Sequence, residues 1–448
     1  MSPAVVAELR QLAKLSVPIM VSLGAATLIG AVDTVMISPL GTVPLAAAGV
    51  TAAVMIVFYS ALYGFVSATG VRMAEAEGRD DADRLSDATR TGLLVALVTG
   101  LAGTGFMLAA RPLLPLIGQP PEVLAVLGGY WTAMAALLVP FTLFYALKGL
   151  FDAVGRPWIG VGLAFAAVAL NIPANWLLIH GIGPWSGFGL LGAGLASLLS
   201  QTASLVLAWI VWRRSPVFAR SRRRVRRSTA ERRIQWREGA TIALGYVGEG
   251  GAYAVASLMM GVFGAAALAA NQIVTSVSGV LYMVPLGVSM AASIRVGQAV
   301  GAAEPARLLP IGRAALALIV GWMTLVMIAL LAARGPLSDA LSDDPEVVGL
   351  AASLFLVVAA MQIADGVQGT MLGAARGLSD NRLPVAITLA AYWIVALPAG
   401  WGLGVTLGLG PNGIWIGYGL GLVLAATLVS RRFFGEAARR SGAGGGIT

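Results

Sequence analysis

Apolar stretches of about twenty residues alternate with short polar connections along nearly the whole chain. A helix rises ~1.5 Å per residue and a bilayer core is ~30 Å thick, so each stretch is long enough to cross a membrane. Twelve are present, at 16–37, 45–73, 92–110, 123–147, 158–180, 190–212, 240–263, 266–300, 314–333, 347–372, 383–405 and 413–429. The pattern predicts an all-α, polytopic membrane protein in which lipid, and not water, is the principal solvent.

The two halves resemble each other. At an offset of 223 residues Leu40-Gly41 falls on Phe263-Gly264, Leu45-Ala46-Ala47 on Leu268-Ala269-Ala270, Arg72 on Arg295 and Gly78 on Gly301. After a one-residue slip Pro121-Glu122-Val123 falls on Pro345-Glu346-Val347, Gly149 on Gly373 and Gly189 on Gly413. A half with six spans starts its copy on the same side of the membrane, so the repeats are parallel, as in transporters that rock two bundles about a central site. The expected organisation is an N-terminal segment 1–15, an N-lobe 16–212, a basic linker 213–239, a C-lobe 240–430 and a tail 431–448.

Charge then orients the chain. Arg10, Lys14, the arginines at 72, 79, 84 and 90, Lys148, Arg156, the cluster from Arg213 to Arg237, Arg295, Arg307, Arg313, Arg376, Arg382 and four tail arginines are assigned to one side, against Arg111 and Arg334 on the other. Positive charge is retained in the cytoplasm, which places both termini there. The run containing Arg222-Arg223-Arg224 and Arg226-Arg227 reads as an orientation signal with contact to anionic headgroups, not as a nucleic-acid patch. Residues 1–16 lack the apolar core and cleavage site of a removable signal peptide, so the first span is expected to persist.

Composition narrows the chemistry. Hydrophobic residues make up 58 % of the chain and charged residues 11 %, with no cysteine, which removes thiolate nucleophiles and disulfides. No His-Glu-x-x-His pair, Gly-x-Ser-x-Gly elbow or Gly-x-x-x-x-Gly-Lys-Ser/Thr loop is present, so neither an intramembrane enzyme nor ATP-driven transport is expected. The single histidine, His180, reads as an interfacial residue; one histidine makes no zinc site.

Three acids nevertheless sit inside spans: Asp33, Glu249 and Asp365. Each costs at least ~2.5 kcal/mol to insert and is a functional-site candidate. Such acids must be protonated, ion-bound, hydrated or facing a cation, which are the states an antiporter needs. A proton or Na⁺ would serve as coupling ion, with Glu249 and Asp365 as possible oxygen ligands for Na⁺. Amides surround them at helical spacing. Asn171 and Asn175 share a face of span five, Gln362, Asp365 and Gln368 form a stripe on span ten, and Asn271 and Gln272 open span eight. The alternative role for these amides is interhelical hydrogen bonding. Gly248-Glu249-Gly250-Gly251 permits close helix approach or bending, and Pro18 is placed to perturb span one.

Val32-Asp33-Thr34-Val35-Met36, Leu170-Asn171-Ile172-Pro173-Ala174-Asn175-Trp176, Ser293-Ile294-Arg295-Val296-Gly297 and Ala375-Arg376-Gly377-Leu378-Ser379-Asp380 carry a further signal. Together they resemble the multidrug and toxic compound extrusion (MATE) family, in its NorM-type branch. The resemblance implies two six-helix lobes forming a V, export of cationic and often aromatic drugs against H⁺ or Na⁺, no cofactor, a monomer, and a bacterial inner-membrane location. It makes Asp33, with Asn171 and Asn175, the N-lobe site, and Glu249 and Asp365 the C-lobe cation pair, with Asn271, Gln272 and Gln368 as further binding candidates. Asn271 stands before Gln272 where related sequences often have His, and Met361 lies one turn before Asp365 where some have Tyr. A flippase of lipid-linked oligosaccharides is the alternative reading, although an anionic headgroup would favour cationic residues in the spans.

Overall fold

A computed structural model describes residues 2–117, 119–225 and 228–442. Its first half supplies α1 (Pro3–Ile37), α2 (Thr42–Gly78), α3 (Ala82–Ala110), α4 (Pro121–Ala153), α5 (Pro157–His180) and α6 (Leu190–Arg214). The second supplies α7 (Thr229–Met259), α8 in two pieces (Ala265–Leu281 and Met283–Gly301), α9 (Leu308–Leu341), α10 (Pro345–Gly377), α11 (Arg382–Thr406) and α12 (Gly410–Arg440). Eleven of these are long and apolar enough to cross a membrane, and α7 is the twelfth long helix, its apolar part interrupted by Glu249 and the glycines around it.

Local chemistry sets where the helices begin and end. Asp81 caps α3 by accepting from the backbone N–H groups of Asp83 and Arg84 at 3.0 Å each, and Asp344 caps α10 by accepting from Glu346 N–H at 2.9 Å. Pro121, Pro157 and Pro345 start α4, α5 and α10, where a missing N–H costs nothing. The α1–α2 and α7–α8 turns need φ of 105° at Gly41 and 97° at Gly264, a region that favours glycine, and the two positions are repeat-related. Span eight is broken at Tyr282, because Pro285 in the next turn has no N–H for the Leu281 carbonyl. The helix α11 contains two wide i→i+5 turns, Ala391–Ala396 and Gly402–Thr406, flanking Pro398.

The chain divides into two compact units, Val21–Ala243 and the combination of Met1–Met20 with Leu244–Thr448. In the first, α4 packs against α2, α3 and α6; in the second, the repeat-related α10 packs against α8, α9 and α12. With lipid as apolar as leucine, close packing replaces the hydrophobic drive. A Cβ on Gly149 of α4 would stand 3.3 Å from the Gly70 backbone of α2, and Gly400 and Gly404 of α11 similarly receive Gly417 and Gly413 of α12. Outward-facing Ile56, Phe106, Leu258 and Ile394 are more than half exposed, as a lipid-facing surface requires.

Several charges counted toward one side of the membrane lie within helices. Lys148 is on α4, 1 % exposed, and donates to Asp152 at 2.7 Å; Arg295 is on α8; Arg376 is in the last turn of α10 and 6 % exposed. The helices outrun their apolar stretches, and ion pairs and hydrogen bonds take the place of water there. The linker is likewise not a free tether among its described residues. Arg220 pairs with Glu77 and Asp80, Arg223 with Asp83, and the backbone N–H of Ser228 donates to Asp87 at 3.1 Å, so this part of the basic cluster answers acids of the α2–α3 corner. Arg213, Arg214 and Arg224 remain exposed, and Arg226-Arg227 lies outside the described residues.

Candidate functional site

Each unit contains one buried acidic centre. In the first, α1 presents Asp33 to α5 and α6. Its Oδ1 accepts from Asn175 at 2.6 Å and Asn171 at 3.3 Å, and its Oδ2 accepts from the Ser197 hydroxyl at 2.6 Å. Asn175 also donates to Asn171 at 3.0 Å, which fixes the amide pair with its donors turned toward the acid. Asp33 is 9 % exposed and both asparagines are fully buried. Hydrogen bonds to a charged group are worth about 1.5–3 kcal/mol each, so this cage supplies much of the solvation that water would give a carboxylate. Nearby, the Tyr59 and Phe141 rings pack tilted at 4.5 Å between centroids, and those of Phe141 and Tyr145 at 4.7 Å.

The second centre is built differently. Glu249 on α7 and Asp365 on α10 are both half-buried and within Coulombic reach of each other and, for Glu249, of Arg376. Glu249 accepts one long hydrogen bond, from the Tyr392 hydroxyl at 3.4 Å, and no described residue donates to Asp365. Arg376 donates to the Tyr246 hydroxyl at 2.7 Å and lies 4.7 Å from that ring's centroid. Gly248 and Gly251 let α11 approach α7, so that Trp393 Nε1 donates to the Gly248 carbonyl at 3.0 Å and Tyr392 reaches Glu249; the glycine run therefore serves approach, and α7 continues unbroken. Tyr392 stacks on Tyr418 at 5.4 Å, and Tyr253, one turn beyond Glu249, sits 5.1 Å from Trp415 and 5.9 Å from Tyr418. An aromatic wall beside two under-solvated carboxylates can receive a cation by charge and by ring face.

The amides divide among these roles. Asn171 and Asn175 belong to the Asp33 cage. Asn271 accepts from Trp415 Nε1 at 2.9 Å, and so orients a ring of the aromatic wall. Gln272 is exposed and hydrogen-bonds Ser276 of its own helix. Gln362 and Gln368 are buried on α10, and both amide atoms of Gln368 lack a hydrogen-bond partner among the described residues. The described residues contain no group of three or more His, Cys, Asp or Glu able to hold a metal. Ser197, Tyr246, Tyr253, Tyr392, Trp415 and Tyr418 escaped the sequence reading, because hydroxyls and rings inside apolar stretches look like ordinary packing; Arg376 was read there as a connection charge.

Comparison with known proteins agrees with this architecture. The MatE family model matches twice, at residues 18–177 and 242–401, one match in each half. A probable multidrug resistance protein NorM of Bradyrhizobium diazoefficiens is 35 % identical, over 94 % of this chain and 92 % of that protein. One of Deinococcus radiodurans is 33 % identical over 95 % of each. The structure of the Vibrio cholerae MATE transporter VcmN in its bent form superposes with a TM-score of 0.87 at 20 % identity, over 98 % of this chain and all of that one. A profile matched in both halves, full-length relatives above 30 % identity and a shared twelve-helix fold make this multi-pass membrane protein a member of the MATE transporter family, in its NorM-type branch.

Proposed function

We propose that the chain is a secondary active multidrug exporter that exchanges cationic organic compounds for H⁺ or Na⁺ by rocking of its two lobes, with both termini in the cytoplasm of a bacterial cell. The observation that carries this reading is the second centre: beside an aromatic wall, Glu249 accepts one 3.4 Å hydroxyl contact and Asp365 accepts none from the described residues. Two carboxylates so poorly solvated favour a bound cation, and they accept a proton, Na⁺ or an organic ammonium in mutually exclusive fashion. Such competition is what couples an inward ion to an outward drug. Asp33, fully hydrogen-bonded, would offer a fixed negative charge to a cation on the first lobe. The relatives named as multidrug resistance proteins support the same substrate class.

The test is ethidium efflux from proteoliposomes under an imposed pH gradient and, separately, a Na⁺ gradient. Efflux driven by one of them establishes the antiport and names the ion. No movement under either, from protein shown to be folded, rejects the reading and turns attention to lipid-linked substrates.

A further inference from the structure

One buried charge of the second unit has no part in the site so far. Arg376, in the last turn of α10, is 6 % exposed, and no described carboxylate stands at ion-pair distance from it. Its Nη1 donates to the Tyr246 hydroxyl at 2.7 Å, the guanidinium carbon lies 4.7 Å from that ring's centroid, and Nε has no hydrogen-bond partner among the described residues. Burying a cation without a directly paired acid is costly. A basic residue at a helix C-terminus answers the helix dipole, but an arginine at the surface fills that role without the cost of burial. After the one-residue slip the repeat partner of Arg376 is Asp152, an acid paired with Lys148 at 2.7 Å. The first half closes its buried charge within itself, and the second does not.

The packing around Arg376 aims it at the acids. A Cβ on Gly373 would meet Ser289 and one on Gly377 would meet Ser293, so α8 holds the α10 backbone on both sides of the arginine in sequence. The side chain goes instead to α7, where Tyr246 anchors it one turn before Glu249. On α10 itself Asp365 precedes it by eleven residues, about three turns, which puts the two on one face about 16 Å apart along the axis. The seventh and tenth spans run in opposite senses, so from the end of α10 inward the order is Arg376, Glu249, Asp365, with Glu249 in Coulombic reach of both the others.

Resting on the export reading above, we propose that Arg376 is a specificity-determining residue: a built-in cation that offsets Glu249 and leaves the second centre one net negative charge, so that it exchanges singly charged organic cations for one monovalent ion and gives no advantage to doubly charged ones. Two carboxylates without the arginine would draw a dication far more strongly than a monocation. With it, one proton, one Na⁺ or one organic monocation completes the balance. Arg376 acts through Glu249 and Tyr246 and needs no contact with the ligand.

The probes are ethidium, a monocation, and propidium, which carries the same ring system and a second, quaternary ammonium. Equilibrium binding of each to the purified full-length chain in detergent gives a ratio that inactive protein does not move, since it subtracts equally from both. Wild-type protein should bind propidium no more than about threefold tighter than ethidium, and a larger preference overturns the proposal without any variant being needed. Arg376→Gln, which removes the charge and keeps a donor for Tyr246, should shift the ratio about tenfold toward propidium. Arg376→Lys, which keeps the charge, should hold the wild-type ratio within about twofold. A ratio that glutamine leaves unmoved, or that lysine moves as far, assigns the arginine to packing and the helix dipole alone and overturns the proposal. Folded wild-type protein that binds neither dye would reject the export reading and the proposal together, whereas ethidium binding with an unmoved ratio would reject only the role of Arg376.

Discussion

The two acidic centres stand on repeat-related scaffolds but use opposite chemistry. At Asp33 one carboxylate has three side-chain donors and both oxygens engaged; of Glu249 and Asp365, the first has one long contact and the second has no donor among the described residues. The repeat does not copy the acids either: Asp33 falls on Ala256, and Asp365 on Phe141. A third difference lies near the helix ends. Asp152, paired with Lys148 on α4, falls on Arg376 of α10, so one half neutralises its buried acid with its own lysine while the other turns an arginine toward Glu249. If all are ionised, each set carries one net negative charge, reached by different routes. On the proposed antiport, a centre already hydrogen-bonded by protein groups is suited to hold shape and charge, and one left short of protein donors is suited to exchange ions.

The largest effect tests that division directly. Glu249→Gln with Asp365→Asn should lower gradient-driven ethidium efflux to the level of empty vesicles, a fall of about 1,000-fold or roughly 4 kcal/mol. Substantial efflux from the double variant would erase the distinction between the centres. Next, Lys148→Ala should destabilise the protein by about 3 kcal/mol, because the fully buried Asp152 loses its counter-charge. Replacing both partners, as Lys148→Met with Asp152→Leu, should recover most of that loss in thermal unfolding in detergent, and failure to recover would mean the pair has a role beyond mutual neutralisation. Ser197→Ala leaves Asp33 Oδ2 without its hydroxyl donor and should cost about 1.5–3 kcal/mol by the same measurement, with the ion dependence of efflux unchanged. A shift in ion dependence there would give the first centre a share in coupling. Tyr392→Phe is the gentlest probe: removing a 3.4 Å contact should change the ion concentration for half-maximal efflux by no more than about threefold, within the modest worth of a single hydrogen bond.

Much of this was legible without coordinates, and the reasons are physical. Membrane spans announce themselves by length, and a carboxylate inside one is costly enough to be conspicuous, so the spans and Asp33, Glu249 and Asp365 could be picked from the chain alone. The i,i+4 spacing of Asn171 and Asn175 likewise predicted one shared face, and the structure turns that face to Asp33. Other residues gave no such signal. A hydroxyl such as Ser197 or Tyr392 is cheap to bury, and a helix that is apolar all round does not reveal which side meets a neighbour. Asn271 and Gln272 are adjacent in sequence, yet one orients Trp415 and the other bonds its own helix, a distinction set by rotation about the helix axis.

The sequence by itself determined the solvent, the number and order of the helices, their duplication and the three acids, because each follows from the local cost of placing a side chain or a peptide group in lipid. Only the tertiary structure decided which donors satisfy Asp33, that Glu249 and Asp365 are left nearly without them, that Lys148 and Arg376 are buried, and that the first turns of α1 and α7 are fastened to helices of the opposite half. These depend on contacts between residues more than a hundred positions apart, which only the packing of helices brings within hydrogen-bonding distance.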